Sequence, residues 1–333
     1  MKKVNVRYCV KSYGRFDMDF QKILDVFSED EISHLEINLI MDTLDYRDID
    51  KIVSQIVKNK TFKDITNDTI YTFIATVCPN KELPKIFIKM KGLLSRIDLV
   101  STEENKAVMN ETLRVLNKKK LPCSLIIREN NFDKIQSICR SNTTFGVPIF
   151  VEEEIKFDDN FLVLFKEWVY DKNGYRINIF ADILSRILLD YWGTKCQYRS
   201  CLTKNFYIDA DGAIYSCKSK KNKICNLQDV YSVSDILSHE KFAMLLKQAI
   251  AKRALCKTKC EFYEWCQGGC PLSLNEEDNE CDEKRLFEVV DDIRELLCRI
   301  ICKADYRELN PAVKDMILSG VASNKIFEKG MIV

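Results

Sequence analysis

Along the first 150 residues, short runs of apolar and β-branched residues alternate with stretches whose apolar side chains recur every three or four positions. The first pattern is that of a buried strand and the second that of an amphipathic helix. Strands are predicted from Val4 (VNVRYCV), Leu35 (LEINLIM), Ile70 (IYTFIATV), Ile97 (IDLV), Cys123 (CSLIIR) and Val147 (VPIFV). Helices are predicted between them, over Phe20, Ile23, Leu24 and Phe27, then over Ile49, Ile52, Val53, Ile56 and Val57. A third is expected to open at Ser101, with Glu104 three residues on as a capping box. Six strand and helix units in alternation point to an α/β fold around a parallel sheet. Periodicity leaves open whether that sheet curls into a partial barrel.

Residues 157–192 read as mostly helix, with one further strand possible from Tyr175 (YRINIF). A boundary is placed near residue 190, where a cysteine-rich region begins. After Cys281, the residues Leu286, Val290, Ile293, Leu297 and Ile300 recur at helical steps, so 283–303 is read as an amphipathic helix packed on a core. Cys298 and Cys302 lie on it one turn apart and are read as small buried apolar residues. The tail to Val333 carries no signal, and neither low-complexity segments nor short internal repeats are found.

Composition bounds the function. The chain has 333 residues, 46% of them hydrophobic, enough to bury its own core as one large domain or two ordinary ones. Lys plus Arg is 51 and Asp plus Glu is 50, a net charge of +1, which removes the electrostatic case for a nucleic-acid binder. The basic run at 218–223 (KSKKNK) is read as a solvated loop. No apolar run reaches the roughly 18 to 20 residues that span a bilayer, and Met1-Lys2-Lys3 leads into a strand pattern rather than a signal segment. The expectation is a soluble cytoplasmic protein with no membrane association.

Of the 15 cysteines, nine lie between Cys196 and Cys281. In a reducing cytosol such a cluster is more often a metal site than a disulfide framework, because thiols stay reduced and thiolates are strong soft-metal ligands. Only His34 and His239 are available as histidines, which supplies mixed Cys/His sites poorly. From Cys196 the spacing is C-x4-C-x10-G-x4-C, then after a gap C-x3-C-x5-C-x3-C-P, then ten residues to Cys281. Phe206 to Cys217 has two β-rich arms about Asp211-Gly212, the chemistry of a tight hairpin. Gly268 and Gly269 allow a close turn, and Pro271 follows the last cysteine of its block as in ferredoxin-type runs.

This arrangement resembles the SPASM domain, the auxiliary-cluster module of many radical S-adenosylmethionine (radical SAM) enzymes that mature peptides and proteins. The segment from Asn226 to Phe242 is similar to that family's linker between cysteine blocks. One departure is Cys256-x3-Cys260, where two intervening residues are usual in the family. The resemblance implies that Cys196, Cys201, Cys217 and Cys270 hold one [4Fe-4S] cluster and that Cys256, Cys260, Cys266 and Cys281 hold another. Cys225 matches no ligand position. The same thiolates would also satisfy two structural zinc ions.

The resemblance further implies a radical SAM-type (βα)6 partial barrel over 1–190, followed by the SPASM-like domain at 191–282 and a C-terminal helical extension at 283–333. The family's CxxxCxxC after the first strand is missing: the strand ends RYCVKSYGRF, with Cys9 alone and Cys78 the next cysteine. The Gly-Gly-Glu-Pro-like turn after the second strand is replaced by residues 40–45 (IMDTLD). A lone Cys9 cannot hold a cluster. The chain therefore reads as a degenerate member that keeps the auxiliary module, with no catalytic residue and with S-adenosylmethionine not expected as its cofactor. Proteins of that kind occur in the maturation of ribosomally made peptides, including Cys-rich repeat peptides. The implied role is accessory, beside an active radical SAM maturase or its precursor peptide. A zinc-stapled peptide- or protein-binding adaptor and a peptide-modifying enzyme with unusual cysteine chemistry remain as alternatives.

Overall fold

In the computed structural model, which describes residues 2–28, 32–59, 70–102, 104–128, 132–142, 145, 147–151, 159–172, 177–189, 201–217, 222–260, 263, 284–303 and 306–322, all six expected strands form. They are β1 (Lys2–Cys9), β2 (Ile32–Ile40), β3 (Ile70–Val77), β4 (Leu94–Ser101), β5 (Cys123–Ile127) and β6 (Ile149–Val151). The helices between them are α1 (Tyr13–Phe27), α2 (Tyr46–Lys58), α3 (Leu83–Phe87), α4 (Lys106–Lys118) and α5 (Phe132–Asn142). Then come α6 (Asp159–Val169), α7 (Asn178–Leu189), α8 (Cys201–Lys204), β7 (Asn205–Ile208), β8 (Ala213–Tyr215) and β9 (Lys223–Asn226). The chain continues through α9 (Val233–Ser238), α10 (Glu240–Lys259), α11 (Lys284–Lys303) and α12 (Pro311–Ala322).

The strands make one nine-stranded sheet in the order β6-β5-β4-β3-β2-β1-β7-β8-β9. β1 pairs in parallel with β2 on one side and with β7 on the other, while β7, β8 and β9 run antiparallel to one another. No described helix is long and apolar enough to cross a membrane. The chain divides into two compact units, residues 1–100 with 107–124 and 198–251, and residues 101–106 with 125–197 and 252–333.

In the first unit the two faces of the strands differ. Val4, Val6 and Tyr8 of β1, Leu35, Ile37 and Leu39 of β2, Phe73, Ala75 and Val77 of β3, and Ile97 and Leu99 of β4 share one face by alternation and are all buried. Helix α1 packs there, with Phe16 against Tyr8 and Phe20 against Phe73 at ring separations of 6.4 and 6.3 Å. The other face carries Lys3, Asn5, Arg7 and Cys9, then His34, Glu36 and Asn38, then Thr72 and Thr76, then Arg96 and Asp98. Parallel strands covered on both sides are apolar throughout; on these the second face is mostly polar, interrupted by Ile40, Ile74 and Val100.

The second unit is built on an aromatic cluster in which Phe161, Phe165 and Trp168 of α6 each lie 5.2 to 5.4 Å from Phe180 of α7. Asn310 is fully buried, receives α6 and starts α12: its amide donates to the Val169 carbonyl at 2.8 Å, and its Oδ1 accepts from the Ala312 amide at 2.9 Å. Val290, Ile293, Leu297 and Ile300 of α11 are buried, as their spacing predicts.

Three local expectations are corrected. YRINIF does not form a strand among its described residues: Ile177 makes a single bridge to Ile149, and α7 starts at Asn178, whose Oδ1 accepts the Val151 amide at 3.1 Å. Apolar residues at 177, 180, 181, 184, 187 and 188 supply a helical period that the short window hid. Ser101 is not a cap but the buried last residue of β4. The turn before α4 is instead closed by Asn105, whose Oδ1 accepts the Thr102 amide at 3.0 Å. Cys298 is half-buried and Cys302 exposed, because the buried stripe of α11 runs through Leu297 and Ile300.

Candidate functional site

The polar face of the sheet is tied by side chains across neighbouring strands. Lys3 meets Glu36 at 3.3 Å, Asn5 donates to Asn205 at 2.9 Å, His34 and Thr72 share a hydrogen at 2.7 Å, and the Thr76 hydroxyl donates to Asn38 at 3.0 Å. Asp98, 2% exposed, takes a forked pair from Arg96 at 2.5 and 3.1 Å and a further bond from Ser124. Such bidentate charge-assisted bonds fix geometry as well as charge. The sequence reading passed over this face, although polar residues at every second position of β1 and β2 were its signal.

At the C-terminal ends of β1, β2 and β3 the connections are short. The Val10 amide donates to Ile40 at 2.9 Å and the Met41 amide to Thr76 at 2.8 Å, which extends the ladder past the strand ends. Only Val10, Lys11 and Ser12 separate β1 from α1, and Ser12 already caps the helix by accepting the Arg15 amide at 3.3 Å. After β2, Asp45 caps α2 by accepting the amides of Arg47 and Asp48, both at 2.9 Å; the Asp48 amide holds its carboxyl below the usual range. Cys9, half-buried, shares a side-chain hydrogen bond with Tyr207, whose phenol is pushed well above its ordinary value by burial and then by Cys9. Cys78 is exposed and donates to the Asp42 carbonyl at 3.1 Å.

The hairpin expected around Asp211-Gly212 is β7–β8. Asp209 organises it, accepting from the amides of Asp211 and Ala213 at 3.0 and 2.9 Å and from the Tyr215 hydroxyl at 3.1 Å. Gly212 has φ +84°, and a Cβ there would stand 2.9 Å from the Arg15 guanidinium. Arg15 donates to the Asp211 carbonyl at 3.3 Å and to Asp19 at 2.6 Å. Asp19, fully buried, also accepts from Tyr8 at 3.0 Å and from Gln228 at 3.1 Å. One carboxylate thus joins β1, α1 and the turn that follows β9, and Arg15, which it holds, reaches the turn of the hairpin that precedes Cys217.

Of the eight candidate ligands, Cys196, Cys266, Cys270 and Cys281 lie outside the described residues, and Cys201 is described only as the first residue of α8. Cys217, Cys256 and Cys260 are half-buried free thiols. The Cys260 amide donates to the Cys256 carbonyl at 2.9 Å, one helical turn, so the three-residue spacing sets both side chains on one side of α10's last turn. Cys225, by contrast, is buried in β9 opposite Ile214, its thiol pushed up to about 11 by burial, and is protonated at neutral pH. Next to Cys217, the Ser216 hydroxyl is 2% exposed and finds no hydrogen-bond partner among the described residues. Partly accessible thiols, a one-turn thiol pair and an orphaned hydroxyl beside a third thiol fit a soft metal or iron-sulfur group. Among the described residues alone, no three His, Cys, Asp or Glu side chains converge on one metal position.

Comparison with known proteins gives a likeness of fold. No protein-family model matches the chain, and no curated protein sequence does. Among solved structures the chain is similar to anSMEcpe, an anaerobic sulfatase-maturating enzyme of the radical SAM/SPASM type, with bound AdoMet: TM-score 0.62 at 13% identity, over 88% of this chain and 98% of that one. The native enzyme with AdoMet and the Cp18Cys peptide gives TM-score 0.62 at 14% identity over the same shares. With AdoMet and the Kp18Cys peptide it gives 0.61 at 15% identity, over 87% and 98%. The α/β fold with its mostly parallel nine-stranded sheet is therefore similar to that of radical SAM enzymes.

Proposed function

We propose that this protein is a degenerate radical SAM/SPASM protein that keeps two auxiliary [4Fe-4S] clusters and serves as the accessory partner of an active radical SAM maturase of ribosomally made peptides. The observation that carries the reading is the three-residue link from Cys9 to α1, on a fold similar to that of radical SAM enzymes, in a chain with a complete eight-cysteine module. A CxxxCxxC loop spans eight residues and presents three thiolates; Val10, Lys11 and Ser12 offer neither the length nor the ligands. Cys9 is occupied with Tyr207, and Asp45 gives the second connection to capping α2. Peptide binding comes to this chain by analogy with neighbours solved with peptides.

In this reading residues 1–190 are the radical SAM-like partial barrel, 191–282 the SPASM-like domain and 283–333 the helical extension. Cys196, Cys201, Cys217 and Cys270 hold one cluster, and Cys256, Cys260, Cys266 and Cys281 the other. Clusters so ligated supply one-electron transfer or rigidity and offer no open iron. The chain's own contribution is positional: Asp209 and Gly212 shape the hairpin that precedes Cys217, and Arg15, held by Asp19, ties its turn to α1. The protein works in the cytoplasm, on no nucleic acid and no membrane.

Iron, acid-labile sulfide and zinc are measured after anaerobic purification, with absorption spectra before and after dithionite. About eight iron and eight sulfide per chain, with absorbance that bleaches, are expected; about two zinc and no sulfide would replace this reading with a zinc-stapled adaptor. With dithionite and S-adenosylmethionine the isolated protein should yield no 5'-deoxyadenosine, and turnover above background would restore the enzyme reading.

A further inference from the structure

Helix α10 is apolar on two sides. Phe242, Leu245 and Ala249 are buried, as one stripe of an amphipathic helix should be. Met244, Leu246 and Ile250 lie off that stripe and are 54%, 40% and 60% exposed, and Leu255 further along is 47% exposed. These four are among thirteen large apolar side chains exposed in the described residues, and no other element carries more than one. Scattered exposed apolar residues are ordinary, but a concentration on one helix marks an interaction surface. At helical spacing Ala243, Leu246, Lys247, Ile250 and Ala251 share a side, with Lys247 in its midst. Over its whole length the helix carries Lys241, Lys247, Lys252, Arg253, Lys257 and Lys259 against Glu240 alone.

We infer that the exposed side of α10 docks an acidic amphipathic helix of a partner protein or peptide, whose aliphatic residues meet Leu246 and Ile250 and whose carboxylates meet Lys247. The charge selects this occupant over the others. A second copy of this face would bring Lys247 against a like-charged surface. A lipid surface favours a broad apolar face with aromatic anchors and lysines on the opposite side, whereas this one is about two turns long, exposes no aromatic and has its lysine in the middle. The helix-in-groove mode needs only a few aliphatic anchors at such spacing. The inference stands apart from the cluster assignment, since it uses no cysteine.

The test uses the full-length protein and a fluorescent synthetic peptide of about five helical turns, with leucines on one face and glutamates on its flanks, beside a counterpart with lysines for glutamates. Fluorescence anisotropy should show binding of the acidic peptide and not of the basic one. Ile250→Glu and Lys247→Glu should each weaken binding about tenfold, while Met18→Glu, at an exposed position of α1, leaves it unchanged. Circular dichroism checks each variant, with Leu246→Gln held as the milder substitution. Equal binding of both peptides, or unchanged binding by Ile250→Glu, overturns the inference. So does a concentration-dependent dimer, or retention on phosphatidylserine vesicles with no peptide binding, that Ile250→Glu abolishes.

Discussion

The Asp19 carboxylate offers the sharpest test of how the fold is held. Asp19→Ala removes the acceptor of three donors at once: Tyr8 at 3.0 Å, Arg15 at 2.6 Å and Gln228 at 3.1 Å. The Tyr8 hydroxyl is fully buried and has no route to water, so stranding it costs about 1 to 3 kcal/mol. Arg15 is 30% exposed and partly rehydrates, so its loss is worth about 1 kcal/mol. Gln228 is exposed and adds little. The expected destabilisation is about 2 to 4 kcal/mol, read from urea unfolding followed by far-ultraviolet circular dichroism at fixed pH. A double-mutant cycle with Tyr8→Phe isolates the mechanism. In the native background Tyr8→Phe costs about 1 kcal/mol, whereas with Asp19→Ala in place it removes a stranded hydroxyl and should be neutral or stabilising. Equal costs in both backgrounds, or an Asp19→Ala variant within about 0.5 kcal/mol of the native protein, would refute the argument that this carboxylate satisfies a buried donor.

Gly212→Ala should destabilise by about 1 to 3 kcal/mol, because φ +84° strains any L side chain and the new Cβ displaces Arg15; a urea midpoint like the native one would refute it. Iodoacetamide labelling of the native protein at pH 8, read by mass spectrometry, should modify exposed Cys78 and Cys302 well before Cys123, Cys139 and Cys225. Burial pushes those three thiols up to about 11, 12 and 11, leaving almost no thiolate; early labelling of any of them would contradict their burial. His34 is held below its ordinary pKa by burial and then by Lys3, so the unfolded chain takes up that proton first. Its contribution to stability is therefore present above the unfolded value near 6.5 and is lost as pH falls through it, levelling off below the folded pKa. His34→Gln should lose less stability than the native protein between pH 7.5 and 5, and parallel losses would rule the effect out.

Much of this architecture was legible in the sequence. Strands from Val4, Leu35, Ile70, Ile97, Cys123 and Val147 all form, because local alternation and β-branching mark a strand before its partner is known. The hairpin at Asp211-Gly212 was equally plain, since a positive φ next to an aspartate is a local requirement. Misreadings came where a short window served two periods, as in YRINIF, or where a capping pattern competed with burial, as at Ser101. For the site, the cysteine spacing named the thiols, and four of the eight lie outside the described residues. Which thiols share a centre stays a proposal.

What the sequence determined by itself is the order of strands and helices, the absence of a CxxxCxxC run and the concentration of cysteines after residue 195, all properties of neighbours along the chain. Only the tertiary structure decided that β7 lies in parallel beside β1, that a polar ladder runs across the sheet from Lys3 to Asp98, and that Gln228 meets Asp19 across 209 positions. Those outcomes depend on which strands share a ladder and which buried donors find acceptors. Periodicity records which face of an element is apolar; it does not record which distant element that face will meet.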